Sequence, residues 1–127
     1  MFGNKTCTIE IEFIKNEISQ KEKEYEENLI KLELLELFEQ KRFITQKKVH
    51  LSIGRLVKEV TLTQIFIEIP TNINKKFLVD LFLGIIDILT EDFQYQYKEI
   101  RFSDSRFKKE FIYELSKESP ELFDRFN

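Results

Sequence analysis

The chain has 127 residues, the usual size of one domain and enough to bury a core without disulfides or bound metal. Apolar residues make up 42% and charged residues 34%, a composition that is globular rather than disordered. We therefore expect one α+β domain over residues 1–127. The net charge of −3 disfavours nonspecific nucleic-acid binding, which depends on neutralisation of phosphates by Lys and Arg. Lys47, Lys48 and Arg55 are the nearest approach to a basic patch.

The cellular compartment is indicated by two features of the sequence. Cys7 is the only cysteine, so no intramolecular disulfide is possible and nothing indicates an oxidising compartment. The N-terminal run MFGNKTCTIEIEF lacks the basic start and apolar stretch of a signal peptide. We expect a cytoplasmic protein.

The first two elements follow from hydrophobic periodicity. The segment TCTIEIEF alternates, which predicts a half-buried strand with Cys7, Ile9, Ile11 and Phe13 on one face. A long amphipathic helix is then predicted over roughly 19–42, begun by a capping box of Ser19 and Glu22. Its apolar residues recur at three- and four-residue steps: Tyr25, Leu29, Leu32, Leu35 and Phe38.

A hairpin is predicted next. The segment KKVHLSI alternates, and the β-rich run VTLTQIFIEIP ends at Pro70. Gly54 and Arg55 are placed to form the turn between them. We expect strands at about 47–53 and 58–69.

The segment FLVDLFLGIIDIL, residues 77–89, is the most apolar part of the chain. A membrane span needs about 20 apolar residues, and this run is shorter and contains two acids. Asp80, Gly84, Asp87 and Glu91 lie at i, i+4, i+7 and i+11, which places them on one line of a helix. We predict a helix over about 75–91 that is polar along this line and apolar elsewhere.

The C-terminal third is predicted as a strand and two helices. FQYQYKEIRFS indicates a strand near 94–103. Ser103 or Asp104 would begin a helix that carries Phe107, Phe111 and Leu115, and Ser119 with Pro120 would begin a second.

This order, β-α-β-β-α-β followed by two helices, is that of a ferredoxin-like fold, one antiparallel sheet with two helices on one face. The 77–89 helix has more apolar surface than one sheet contact covers. Either the C-terminal helices or a second copy of the protein would cover the rest. We favour the C-terminal helices, which are rich in Phe and include Phe107, Phe111, Leu122, Phe123 and Phe126.

The sequence contains no recognisable catalytic or metal motif. His50 is the only histidine, and nothing marks an acid or a nucleophile that would act with it. One Cys and one His do not make an ordinary zinc site, and no calcium loop is present. The three glycines are isolated, so no phosphate-binding loop is indicated. We expect no catalytic residues, no metal and no cofactor, and a protein that is not an enzyme.

Five residues are candidates for partner binding. Asp80, Asp87 and Glu91 form the acid stripe, which is either a solvated line on a buried helix or a surface for a basic partner. Gly84 lies within the stripe, and its cost in a helix indicates close approach of another backbone, either internal or from a partner chain. Tyr95 and Tyr97 would share one strand face, and Tyr is frequent both in strands and at interfaces.

Two functional hypotheses follow. The first is an inhibitor or immunity-type protein that neutralises another protein, such as a basic toxin or nuclease, by occluding it; acidic residues would oppose the partner's basic cleft. The alternative is a self-associating structural or regulatory subunit, joined through the 77–89 helix or a sheet edge. The protein would be a monomer or homodimer, and neither nucleic acid nor a membrane is an expected partner.

Overall fold

The structure is a computed structural model that describes residues 6–16, 20–41, 49–57 and 60–124. It contains four strands: β1 (Thr6–Asn16), β2 (Val49–Val57), β3 (Val60–Pro70) and β4 (Gln96–Phe102). The helices are α1 (Gln20–Gln40), α2 (Lys75–Asp87), α3 (Ser105–Glu118) and α4 (Pro120–Phe123), with a π-helical turn (Ile88–Asp92) directly after α2.

The strands form one antiparallel sheet in the order β2-β3-β1-β4. The central strand pair is β1 with β3, in which Ile9 lies opposite Ile67, and β4 pairs with the other edge of β1. The predicted α+β class, an antiparallel sheet with helices packed on it, is confirmed. The alternation predicted for β1 is also confirmed, because the four residues predicted to share one face are all buried in the core: Cys7, Ile9, Ile11 and Phe13.

The hairpin turn was predicted at the wrong place. Gly54 and Arg55 lie inside β2, where the pairing with β3 shifts register between Ile53 and Leu56. A lone glycine within a strand favours such an irregularity, because it disrupts the ladder locally without ending the strand. Lys47, Lys48 and the capping residue Ser19 lie outside the described residues.

The buried face of α1 differs from the predicted one. The residues packed in the core are Ile30, Leu34 and Phe38. Of the residues predicted to form the apolar face, Tyr25, Leu32 and Leu35 are 67%, 58% and 62% exposed. The helix therefore has two apolar stripes on different sides, and only one of them contacts the core.

The segment 75–91 is helical as predicted, but it changes type near its end. Asn74 caps α2 by accepting a hydrogen bond from Phe77 N at 3.1 Å. The last residues widen into the π-helical turn, where Thr90 Oγ1 donates to Ile86 O at 2.7 Å. Tyr95 N then donates to Leu89 O at 2.8 Å, which brings the chain back to the sheet.

The first C-terminal helix, α3, packs on the flank of α2, as predicted for it, and α4 packs on α3. Phe111 of α3 meets Phe82 of α2 edge to face, with ring centroids 5.3 Å apart. Asp104 caps α3 by accepting from Phe107 N, whereas Ser119 stands at the N-cap of α4 without a side-chain cap bond. Leu122 of α4 is buried, and Phe126 lies outside the described residues.

Candidate functional site

A shallow groove with a volume of about 220 Å³ runs between α1 and α2. We call it the acidic groove, because two carboxylates of α1 stand along it. Its floor is apolar where α2 passes beneath. The lining residues are Glu33, Glu36, Leu37, Gln40, Gly84 and Ile88.

Gly84 sets how closely the two helices approach. A Cβ atom at this position would lie 3.0 Å from Leu37 Cδ1, which is too close without a shift of the leucine. The close neighbour of Gly84 is therefore internal, but it is the side chain of Leu37 on α1 and not the predicted backbone. At one end of the contact, Lys41 Nζ pairs with Asp80 Oδ2 at 2.7 Å. The helix contact thus fixes the depth of the groove.

The carboxyl group of Glu33 lies in an unfavourable electrostatic environment. Burial raises its pKa, and the charge of Asp92, a hydrogen bond with the Asp92 carboxyl group and the charge of Glu36 raise it further. Glu33 Oε2 is buried and receives no hydrogen bond from an N–H or hydroxyl group of the described residues. The groove therefore holds negative charge that the described part of the chain does not neutralise.

The acid stripe predicted on α2 passes this groove at Gly84. Asp80, Asp87 and Glu91 are exposed, and Gly84, which belongs to the same line, is on the groove floor. Asp80 is held by Lys41, whereas neither Asp87 nor Glu91 forms an ion pair within the described ranges. Asp80 and Asp87 lie on α2, whereas Glu91 lies in the π-helical turn, and the role of all three in binding stays a prediction.

The tyrosines lie apart from the stripe. Tyr95, just before β4, is 2% exposed, and its hydroxyl group is 3.5 Å from Glu26 Oε1. Tyr97 packs against the rings of Phe13 and Phe82, with centroids 6.1 and 6.4 Å away. Both tyrosines face the core side of the sheet, so the structure does not bring them together with the acid stripe. Binding through Tyr95 would require movement of a buried residue.

The second apolar stripe of α1 borders the acidic groove, and sequence reasoning did not identify it as a surface. We call Tyr25, Leu32 and Leu35 the outer stripe. Glu36 follows Leu35 directly and lines the groove, which makes the two features adjacent. Glu33 and Glu36 were not predicted as site residues either. They are three residues apart and therefore lie on one side of the helix, as the acidic residues of the stripe were predicted to do.

A second charged cluster lies on the side of the sheet away from the core. Glu12 of β1 is 4% exposed, and Arg101 Nη2 donates to its Oε2 at 2.8 Å while Gln64 Nε2 donates to its Oε1 at 3.1 Å. Burial alone would raise the pKa of Glu12, but the bond from Arg101 with the nearby Lys98 and Gln64 outweighs it and lowers that pKa. This carboxylate is neutralised internally, in contrast to Glu33.

Across residues 6–16, 20–41, 49–57 and 60–124, no group of three His, Cys, Asp or Glu side chains is placed to hold a metal ion. Within the same ranges, no helix has the length and apolar content that a membrane crossing requires.

Comparisons with known proteins bear on the fold alone. No family model matches the chain. No curated protein matches it either. Among solved structures, it is similar to the de novo designed protein Foldit4, with 14% identity, a TM-score of 0.52, and coverage of 80% of this chain and 100% of that one. The de novo designed protein Ferredog-Diesel has 19% identity and a TM-score of 0.43 over 82% of this chain and 89% of that one.

Proposed function

We propose that this chain is a protein-binding protein that uses the acidic groove and its rim to hold a basic partner. The observation that carries the proposal is the buried oxygen Oε2 of Glu33, which receives no hydrogen bond from the described residues and lies in a groove beside Glu36. Burial and the charges of Asp92 and Glu36 raise the pKa of this carboxyl group. Carboxylates that repel one another lower the stability of the free protein. A Lys or Arg side chain from a partner would remove that repulsion on binding, so the groove is complementary to positive charge.

We place this binder in the inhibitor or immunity-type class. Its partner would be a basic toxin or nuclease in the cytoplasm, neutralised by occlusion and not by any reaction of the chain. The acid stripe Asp80, Asp87 and Glu91 would extend the negative field around the groove and speed association. Such a protein needs a rigid acidic surface and no catalytic residue of its own.

We also infer that the fold is ferredoxin-like, with α3 and α4 added. The element order β-α-β-β-α-β and the antiparallel strand order β2-β3-β1-β4 support this assignment. Folds of this kind serve many functions, so the functional proposal rests on the groove and not on the fold.

The test is capture of a partner by immobilised protein, with identification by mass spectrometry and titration of the purified partner. The test variant carries Asp80→Lys, Asp87→Lys and Glu91→Lys. A matched control carries Glu114→Lys, Glu121→Lys and Asp124→Lys on, or directly after, α3 and α4, which changes the net charge equally. Each set contains one residue in an ion pair, Asp80 with Lys41 and Glu114 with Lys117.

The proposal predicts that the stripe variant loses affinity through slower association, and that the wild-type affinity falls as salt is added. The control variant should bind like wild type. Equal affinity of both variants for the captured protein would contradict the proposal.

Self-association is the second candidate function, and the outer stripe of α1 is the observation that favours it. Three large apolar side chains on one exposed helix side are typical of a protein contact. Sedimentation at increasing concentration distinguishes the two functions: a dimer that Leu32→Ser abolishes would support the subunit, and a monomer throughout would contradict it.

A further inference from the structure

The outer stripe of α1 has the spacing of a coiled-coil seam. Tyr25 and Leu32 are seven residues apart, and Leu35 follows three later, so they occupy positions a, a and d of a heptad pattern. Each of the three side chains is more than half exposed. The other side of the same helix already packs in the core through Ile30, Leu34 and Phe38. The seam is therefore available for a second helix.

The two flanks of the seam carry different charge. On one flank, Lys31 is paired with Glu27 at 3.3 Å, which compensates both charges. On the other flank, Glu36 lines the acidic groove beside Glu33, whose Oε2 is buried without a hydrogen-bond partner among the described residues. Burial raises the pKa of Glu33, and the charges of Asp92 and Glu36 raise it further. Over its whole length α1 contains seven Glu and three Lys. A helix laid on this seam would meet uncompensated negative charge along one side.

We propose that the outer stripe is the docking seam for a basic amphipathic helix of a partner protein. Its apolar residues would pack on Tyr25, Leu32 and Leu35, and its Lys or Arg residues would point over Glu36 towards Glu33. The inference rests on the proposed function, since it names the kind of partner segment that the acidic surface takes. Apolar anchors bordered by matching charge are the usual arrangement of a helix bound on a helix.

A second copy of this chain laid antiparallel on the seam fits it less well than a basic helix. In an antiparallel pair that joins Tyr25 to Leu35 of the second copy, like flanks face each other and Glu36 falls beside Glu22 of that copy. Such a contact places the negatively charged Glu side chains of the two copies next to each other, and their repulsion is unfavourable. A partner helix with basic flanks reverses the sign of that interaction.

The test uses two synthetic helical peptides with a fluorescent label. Both carry Leu at the a and d positions; one has Lys at all e and g positions and the other has Glu there. Like charges within each peptide prevent it from pairing with itself. Binding to the full chain is followed by anisotropy, for wild type, for Leu32→Ser/Leu35→Ser and for Tyr113→Ser. The last is a matched control, because Tyr113 on α3 is also 61% exposed.

The proposal predicts saturable binding of the Lys peptide at least about tenfold tighter than that of the Glu peptide, and a loss of about tenfold or more in Leu32→Ser/Leu35→Ser. Tyr113→Ser should bind like wild type. Equal binding of the Lys peptide by all three proteins would indicate charge attraction without a seam and would overturn the proposal. Dimerisation of wild type that Leu32→Ser/Leu35→Ser abolishes would overturn it in favour of a second copy.

The two proposals fail in different ways. If the captured partner depends on Asp80, Asp87 and Glu91 but binds Leu32→Ser/Leu35→Ser unchanged, the seam is refuted and the acidic binding surface stands. If the Lys peptide binds the seam but no captured protein depends on the acid stripe, the functional proposal fails and the seam's preference for a basic helix is supported on its own.

Discussion

Helices α1 and α2 pack against each other on the same sheet, yet their apolar surfaces meet different surroundings. α2 is covered on both flanks, by Leu37 of α1 at Gly84 and by Phe111 of α3 at Phe82. α1 uses one stripe for the core and leaves a second stripe exposed. The difference indicates that the apolar residues of α2 serve the fold, whereas the outer stripe of α1 is not needed for it.

The largest effect is expected in α2. Phe82→Ala removes the ring that contacts both Phe111 and Tyr97, and we expect the free energy of unfolding to fall by about 3–5 kcal/mol. Urea denaturation followed by circular dichroism measures it. A midpoint within error of wild type would show that α2 is peripheral to the core.

An intermediate effect is expected where the two helices touch. Gly84→Leu places a side chain against Leu37, and overpacking should lower stability by about 1–3 kcal/mol. The same substitution in a Leu37→Ala background should cost clearly less, because the space has been opened. Additive effects in this double-mutant cycle would show that the two positions do not meet.

The smallest effect is expected in the acidic groove, and it has the opposite sign. Glu33→Gln removes repulsion from Asp92 and Glu36, so stability at pH 7 should rise by roughly 0.2–1 kcal/mol. Since the folded pKa of Glu33 is raised, the repulsion is complete above that pKa. The repulsion decreases as the pH falls towards about 4.3, the pKa of a Glu side chain in the unfolded protein. The gain measured by thermal unfolding should therefore shrink between neutral and acidic pH.

Glu12→Gln is the matched control for that measurement, because the pKa of Glu12 is lowered by Arg101. Its ionised form stabilises the fold above the unfolded pKa, and this stabilisation is lost as pH falls through the folded pKa. We expect Glu12→Gln to reduce stability at pH 7 and to approach wild type in acid. The same sign for both variants would contradict the distinction between a neutralised and an unneutralised carboxylate.

The buried face of a segment could be predicted from the sequence only where a single set of its residues could form that face. β1 and α2 were predicted correctly because each has one buried pattern: strict alternation from Cys7 to Phe13, and one polar line on an apolar helix. α1 allowed two patterns, and the choice between Leu32 with Leu35 and Ile30 with Leu34 depends on the approach of β1 and α2. The acidic groove was not predictable for the same reason, since Glu33 and Asp92 belong to different elements and meet only through packing.

The central claim is that α1 has one apolar stripe for folding and another for binding. It is tested most directly by two matched double variants, Ile30→Ser/Leu34→Ser and Leu32→Ser/Leu35→Ser, compared by urea denaturation. We predict that the first pair unfolds the protein, since buried Ile or Leu truncation costs about 2–5 kcal/mol at each site. The second pair should stay within about 0.5 kcal/mol of wild type, as exposed positions do. Unfolding of Leu32→Ser/Leu35→Ser, with Ile30→Ser/Leu34→Ser remaining folded, would contradict the account.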